Sequence, residues 1–133
     1  MQKKMQHSFI TKIFLISNIL KNCLIFSFLV NFSEFEKVIS YAENLKSRNT
    51  KSKISIDDIF VYERKLSQLL KINNCFISSL CLFKTIKNYG HSAKVLIGVK
   101  KEINFSSHAW IETNEGSLLK DKKDKFEKIY EII

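Results

Sequence analysis

Cys75 stands where a cysteine nucleophile is expected, at the start of a predicted helix. Apolar residues recur after it at helical spacing, at Phe76, Ile77, Leu80, Leu82, Phe83 and Ile86. Asn73 and Asn74 offer N-cap side chains, and Gly90 is typical of the residue that follows a helix end. Unpaired N–H groups and the positive end of the helix dipole favour a thiolate in the first turn. The sequence therefore predicts a helix over 74–90 that begins with a reactive thiol.

His108 and Asp121 lie on the two strands of a predicted β-hairpin that follows this helix. With Asn114-Glu115 as the loop, His108 faces Asp121 directly across the ladder. With Glu115-Gly116 as the loop, Asp121 lies diagonal to His108 on the same face. A plain three-residue loop would put the two side chains on opposite faces. Either two-residue loop thus brings the carboxylate within reach of the imidazole.

Cys75, His108 and Asp121 together can act as nucleophile, general base and the residue that orients the base. Taken singly, a free cysteine is more often buried and structural, and a strand histidine is usually a hydrogen-bonded structural residue. The combination favours catalysis, because a thiol at a helix start has a base and a carboxylate downstream of it. Asp124 is the rival carboxylate, and Glu112 is a more distant one.

Two further features of the candidate site follow from its predicted elements. Trp110 shares the face of His108 by strand alternation, either as a core aromatic or as a wall of the cleft beside the imidazole. The backbone N–H of Cys75 points outward at the helix start, so we expect it to stabilise an oxyanion. His91 follows the helix in a turn and has no predicted role.

These residues resemble a known family. The resemblance rests on Cys75-Phe-Ile-Ser-Ser-Leu-Cys-Leu82, on Val95-Leu-Ile-Gly-Val99, on Phe105-Ser-Ser-His108-Ala-Trp-Ile-Glu112, and on Asp121. Over residues 56–130 the chain resembles the transglutaminase-like leader peptidase of lasso-peptide biosynthesis. This peptidase is one half of the B protein of that pathway. Ser78 stands where members of that family often carry a basic residue, and Lys120-Asp121 stands where they often have Asn-Asp.

The resemblance implies a transglutaminase-like or papain-like core that cuts a lasso-peptide precursor between leader and core. Cleavage would proceed through a thioester on Cys75, with His108 as general base and Asp121 orienting it, and with no cofactor and no metal. The implied partners are the precursor peptide, a leader-binding protein and an ATP-using cyclase. Two alternatives stay open: a transglutaminase-like amidase or acyltransferase on another substrate, and a non-catalytic basic binding module.

Length and composition predict a globular protein with a modest core. The chain has 133 residues, of which 45% are hydrophobic, and a net charge of +9. This charge favours an acidic partner. The basic residues are scattered and are not interleaved with aromatic ones, so we expect no nucleic acid among the partners.

Cysteine usage predicts a cytoplasmic protein. The three cysteines show no CxxC spacing and, with three histidines, no zinc pattern. A disulfide framework is equally unsupported, which favours a reducing compartment. Cys23 and Cys81 are predicted to be small apolar core residues.

The predicted fold class is α+β, with N-terminal helices and the cysteine helix packed on a small antiparallel sheet. Residues 1–53 form the predicted N-terminal helical portion, and residues 54–133 the transglutaminase-like core, within one compact unit. The apolar stretch 8–30 predicts two buried or partner-facing helices, and contact with a membrane surface is less favoured. Further helices are expected over 31–46, with a Ser33/Glu36 capping box, and over 55–72. A strand over 93–99 with a bulge or close approach at Gly98, and a charged tail over 122–133, complete the prediction.

Overall fold

The computed structural model describes residues 8–47, 53–72, 74–100, 106–114, 116–118 and 127–133. Within these ranges four helices come first: α1 (Phe9–Phe32), α2 (Phe35–Glu43), α3 (Ile56–Leu69) and α4 (Cys75–Asn88). Four strands follow among the described residues: β1 (Lys94–Lys100), β2 (Ser106–Thr113), β3 (Gly116–Leu118) and β4 (Glu127–Ile132). All the described strand pairs are antiparallel, in the order β3-β2-β1-β4. The predicted α+β class is confirmed.

Helix α4 lies at the centre of the molecule, between α1 and α3 on one side and β1 and β2 on the other. Nearly every residue of its middle turns is buried, including two serines. The helix ends in a Schellman motif: Gly90 has a φ of 81°, its N–H donates to the carbonyl of Lys87 and the N–H of His91 donates to that of Ile86. The predicted helix and its glycine end are confirmed.

One face of the sheet packs on the helices. A row of cross-strand partners crosses all four strands on that face: Ile132, Val95, Ile111 and Leu118. The pairing of β1 with β4 changes register between Ile97 and Gly98, which confirms the irregularity predicted at this glycine. The core cluster takes residues from α1 through β4. The predicted boundary between residues 53 and 54 stays a prediction.

The stretch 8–30 forms a single helix, so the prediction of two helices was wrong. Its buried stripe includes Leu15, Ile19, Cys23 and Phe26, which recur at unbroken helical spacing. No proline or glycine interrupts α1, so its polar residues do not end the helix. Asn22, the buried polar residue of the stripe, donates from Nδ2 to Thr85 Oγ1 at 2.9 Å.

The predicted start was wrong for α2 and correct for α3. The Ser33/Glu36 capping box was wrong, because the N–H of Ser33 donates to the carbonyl of Leu29 and so closes α1. Helix α2 begins without a side-chain cap. Helix α3 begins where expected, since Ser55 Oγ accepts from the N–H of Asp58 at 3.1 Å.

The charged tail predicted over 122–133 contains strand β4, so that prediction was wrong for 127–132. β4 pairs with β1 and buries Ile132 completely. Its charged and polar residues have partners at the surface: Glu131 lies 3.1 Å from Lys94 Nζ, and the Tyr130 hydroxyl donates to Glu43 at 2.7 Å. Charge along this segment therefore marks the solvent side of an edge strand.

Helix α1 leaves many large apolar side chains in solvent. The exposed ones are Phe9, Ile10, Ile13, Phe14, Leu24, Phe28 and Phe32. Within the described ranges, α1 is the helix whose length and composition suit a membrane span, with a mean hydropathy of 2.0 over 18 residues. Core helices and signal sequences share these properties, and the opposite side of α1 packs on α3 and α4.

Candidate active site

Cys75 is the first residue of α4, and its side chain is partly exposed. Asn74 caps the helix, because its Oδ1 accepts from the N–H of Phe76 at 2.9 Å and from that of Ile77 at 3.2 Å. The cap thus uses the second and third N–H groups of the helix and not that of Cys75. This geometry suits the expected role of the Cys75 N–H as a donor to an oxyanion.

Asn74→Ala is expected to lower the free energy of unfolding by about 1 kcal/mol, because two N–H groups lose their acceptor. The measurement is urea denaturation followed by circular dichroism. Ser55→Ala, which removes the cap of α3, should cost a similar amount. Alkylation of the Cys75 thiol should slow in Asn74→Ala and keep its rate in Ser55→Ala. Unchanged stability of Asn74→Ala would show that this cap does not hold the start of α4.

His108 lies in the interior of β2, where it is half-buried. Its ring stacks on that of Trp110, with centroids 6.2 Å apart and an angle of 18° between the planes. The shared face of these two residues is therefore confirmed. Trp110 is only 3% exposed. The cross-strand partner of His108 on β1 is Gly98, which has no side chain and so adds no bulk beside the imidazole.

Helix α4 packs against β2, so the element that begins with Cys75 contacts the strand that carries His108. Ile111 of β2 belongs to the core cluster, together with residues of α4. By strand alternation, His108 and Trp110 project from the other face of the strand. The structure thus brings the two elements together, but α4 covers the face of β2 opposite His108, so this packing does not itself place the imidazole beside the Cys75 thiol. The meeting of the thiol with the imidazole stays a prediction.

Strands β2 and β3 form the hairpin in the first of the two predicted registers. Thr113 pairs with Gly116 and Ile111 with Leu118, which is the pairing expected in that register. The Thr113 hydroxyl donates to the carbonyl of Gly116 at 3.1 Å. Gly116 has a φ of 131°, a backbone conformation that side chains disfavour.

The carboxylate that would orient His108 was predicted at Asp121, with Asp124 as its rival. Both lie outside the described residues, so Asp121 stays a prediction. Glu112 is described and shares the face of His108, but four residues of strand separate their backbones by about 13 Å. This distance is too long for a hydrogen bond from the imidazole, so Glu112 does not fit the role.

His91 takes part in the structure rather than in the candidate site. Its Nε2 lies 2.7 Å from the carbonyl oxygen of Ile54, in the segment that leads into α3. The imidazole therefore ties the end of α4 to the start of α3. This agrees with the absence of a predicted functional role for His91 and makes it a useful control for His108.

A second group of reactive side chains, Cys23, Glu63 and Cys81, lies in the interior between α1, α3 and α4. Both cysteines are buried as predicted, with their Sγ atoms 2.8 Å apart. The ligand atoms of all three residues lie within 4.8 Å of one another, so they are also a candidate metal-binding set. Glu63 has no exposed surface and accepts hydrogen bonds from Arg64 at 2.9 Å and Ser67 at 2.5 Å.

Glu63 is a buried residue that was not predicted from the sequence, although its position in α3 carries one signal. The buried stripe of α3 is Ile56, Ile59, Glu63 and Ser67. Glu63 therefore occupies a helical position whose neighbours one turn away are buried. A carboxylate there must have buried partners, because an isolated charge in the core is strongly disfavoured.

The environment of Cys81 makes it a poor nucleophile. Its contact with Cys23 raises the pKa of the Cys81 thiol well above the ordinary value, and burial and the charge of Glu63 act in the same direction. A hydrogen bond with Thr85 opposes this rise only in part. The thiolate form of Cys81 is therefore disfavoured, and Cys23 beside it is buried, so Cys75 at the partly exposed helix start is the candidate nucleophile.

Comparison with known proteins identifies the family of this fold. The model of the transglutaminase-like superfamily matches residues 24–131, from the middle of α1 to β4. The matched range contains Cys75 and His108 together with the helix and strand that carry them. No curated protein and no solved structure gives a significant match. The match spans most of the chain and agrees with the observed helices and antiparallel sheet, so the chain belongs to the transglutaminase-like superfamily.

Proposed function

We propose that this protein is a cysteine peptidase that removes the leader from a lasso-peptide precursor in the cytoplasm. The superfamily includes cysteine peptidases and acyltransferases, both of which use a cysteine nucleophile. The observation that carries the proposal is the position of Cys75, which is partly exposed at the capped start of α4 with its backbone N–H not used by the cap. The sequence Phe105-Ser-Ser-His108-Ala-Trp-Ile-Glu112 resembles that of lasso-peptide leader peptidases and supports this particular peptidase activity.

The proposed reaction uses the side chains of the chain itself. His108 accepts the proton of the Cys75 thiol, and the thiolate attacks the carbonyl carbon of the scissile peptide bond. The Cys75 N–H donates to the oxyanion that forms. The imidazolium then protonates the leaving amine, which leaves a thioester on Cys75. Water activated by His108 hydrolyses this thioester and releases the acyl product.

Asp121 is the proposed partner of the imidazole. Its role is to hold His108 in one tautomer and to stabilise the imidazolium. The hairpin register supports this choice, because its continuation past Leu118 would pair position 121 with His108. Asp124 has no such support, since three residues of strand would place it on the other face.

The proposed partners are the precursor peptide and a leader-binding protein, with an ATP-using cyclase acting on the released core. The exposed apolar side of α1 supports contact with another protein, since Phe28 and Phe32 are 62% and 76% exposed. The net charge of +9 supports an acidic peptide or an acidic partner surface.

An acyltransferase is the second candidate, because superfamily membership supports it as well as a peptidase. Both enzymes form the same thioester and differ in what resolves it. A peptidase transfers the acyl group to water, and an acyltransferase transfers it to an amine. Adding a primary amine to a cleavage reaction therefore separates them: a peptidase gives the free acid, and an acyltransferase gives the amide.

The thiol–imidazole pair can be tested without a substrate, by the rate at which iodoacetamide alkylates Cys75 at pH 6. We expect His108→Ala to lower this rate about tenfold or more, because the thiolate loses its cationic partner. His91→Ala is the matched control and should keep the wild-type rate. Cys23 and Cys81 are buried and should stay unlabelled in the folded protein. Equal rates in all three proteins would contradict the proposed pair.

A further inference from the structure

Two thiols meet in the core at a point where α1 crosses α4. Cys23 of α1 and Cys81 of α4 have exposed fractions of 1% and 0%. Their Sγ atoms are 2.8 Å apart, and Cys81 Sγ also lies 3.5 Å from the carbonyl oxygen of Ile19. Because 58 residues separate the two cysteines in the sequence, only the packing of the helices brings them together.

This distance favours a covalent bond over a shared metal ion. A disulfide has an S–S length of about 2.05 Å, so the two sulfurs would need to approach by less than about 1 Å. Two thiolates bound to a tetrahedral zinc ion, each at about 2.3 Å from the metal, would lie about 3.8 Å apart. Helices α1 and α4 would therefore have to move apart to bind a zinc ion between the two sulfurs. They would need to move only slightly closer to form a disulfide.

Glu63 provides the proton acceptor that such a reaction needs. Its carboxylate is fully buried, and one of its oxygens lies within 4.8 Å of both sulfurs. Hydrogen bonds from Arg64 and Ser67 hold it in place on α3. A fixed base beside the thiol pair can take the proton of an attacking thiol in a site that excludes bulk water.

We propose that Cys23 and Cys81 are an oxidisable pair, which hydrogen peroxide joins into a disulfide that links α1 to α4. The sulfur of Cys23 attacks a peroxide oxygen and gives a sulfenic acid and water. The other sulfur attacks the sulfenic sulfur, forms the S–S bond and expels hydroxide, while Glu63 passes the thiol proton to that hydroxide. In total, two thiols and one peroxide give one disulfide and two waters.

The bond would change the stability of the fold rather than the chemistry at Cys75. It would close a chain segment from Cys23 to Cys81 and so restrict the unfolded state. Peroxide is close to water in size, so local opening of the helices is enough to admit it. Reduction by an added dithiol reverses the reaction through thiol–disulfide exchange.

The experiment uses the full chain carrying Cys75→Ala, so that Cys23 and Cys81 are its only thiols. After treatment with hydrogen peroxide, we expect the intact mass to fall by about two units, for the two hydrogens lost. A digest without reductant should contain the Cys23 peptide linked to the Cys81 peptide. The melting temperature should rise by roughly 5–15 °C and return to its starting value after dithiothreitol.

Matched variants make each part of the proposal testable. The double variant Cys23→Ala/Cys75→Ala keeps a single thiol and should show neither the mass loss nor the rise in melting temperature. Glu63→Gln, combined with Cys75→Ala, should form the disulfide more slowly, because an amide accepts no proton. An unchanged rate in that variant would overturn the role of Glu63.

Four other results would overturn the disulfide itself. The first is that both thiols stay free after peroxide, and the second is that oxidation occurs only in denaturant. The third is a mass gain of about 16 or 32 units on the separate Cys23 or Cys81 peptide, which marks sulfenic or sulfinic acid without a cross-link. Uptake of one equivalent of zinc by the reduced protein, with protection from peroxide, would also overturn it and identify the pair with Glu63 as a metal site.

Discussion

Cys75→Ala is expected to abolish release of the leader, with a rate at least about a thousandfold below that of the wild type. The loss is this large because no thioester can form without the Cys75 sulfur. The measurement is mass spectrometry of the cognate precursor after incubation with the protein and its leader-binding partner. His108→Ala should cost about 10²–10⁴-fold in the same assay, as expected for a general base.

Matched variants separate catalysis from a general loss of structure. Cys81→Ala changes a buried cysteine of the same helix and should keep leader release within a few-fold of the wild type. His91→Ala should behave likewise, and Asp121→Asn should slow cleavage where Asp124→Asn does not. If Cys75→Ala cut the precursor as fast as the wild type, the catalytic proposal would fail. The protein would then be a binding module on a transglutaminase-like scaffold.

Phe83→Ala is expected to have the largest effect on stability, about 3–5 kcal/mol. Phe83 has no exposed surface and lies on α4, which contacts both the other helices and the sheet. The Lys87 ammonium also lies over its ring, 4.6 Å from the centroid, and loses that contact in the variant. A domain of ordinary stability has about 5–15 kcal/mol in total, so this loss approaches global unfolding.

Urea denaturation measures this loss, with Phe28→Ala as the control of the same residue type. Phe28 is 62% exposed on α1, so its removal should change the free energy of unfolding by less than about 0.5 kcal/mol. Equal effects of the two substitutions would show that α4 does not have the central place in the core that the packing indicates.

The sequence predicted the elements whose ends are set by neighbouring residues. The start of α4 depends on Asn74, and its end on Gly90, which has the positive φ that glycine allows. The hairpin between β2 and β3 is likewise set by nearby residues, because a two-residue loop allows only two registers. Gly116 has the positive φ found in the register that forms. In each case the interactions that decide the structure lie within a few residues of one another.

The features that sequence reasoning missed depend on distant partners. Nothing local shows that 127–132 pairs with β1, because the burial of Ile132 requires Val95 beside it. The buried place of Glu63 depends in the same way on α1 and α4, which enclose it. The continuity of α1 also rests on its packing, since the buried stripe from Leu15 to Phe26 lies against α3 and α4.

Strand β4 has a consequence for the newly made chain. β1 becomes an interior strand only when 127–132 pairs with it, and this segment is the last of the described strands to be synthesised. Until then the nascent polypeptide presents β1, with the apolar run Val95-Leu96-Ile97, as an open edge to other chains. Lysines at both ends of β1 are the charges that discourage such pairing. A shortened product that stops before Glu127 should therefore aggregate during expression, even with Cys75 and His108 in place.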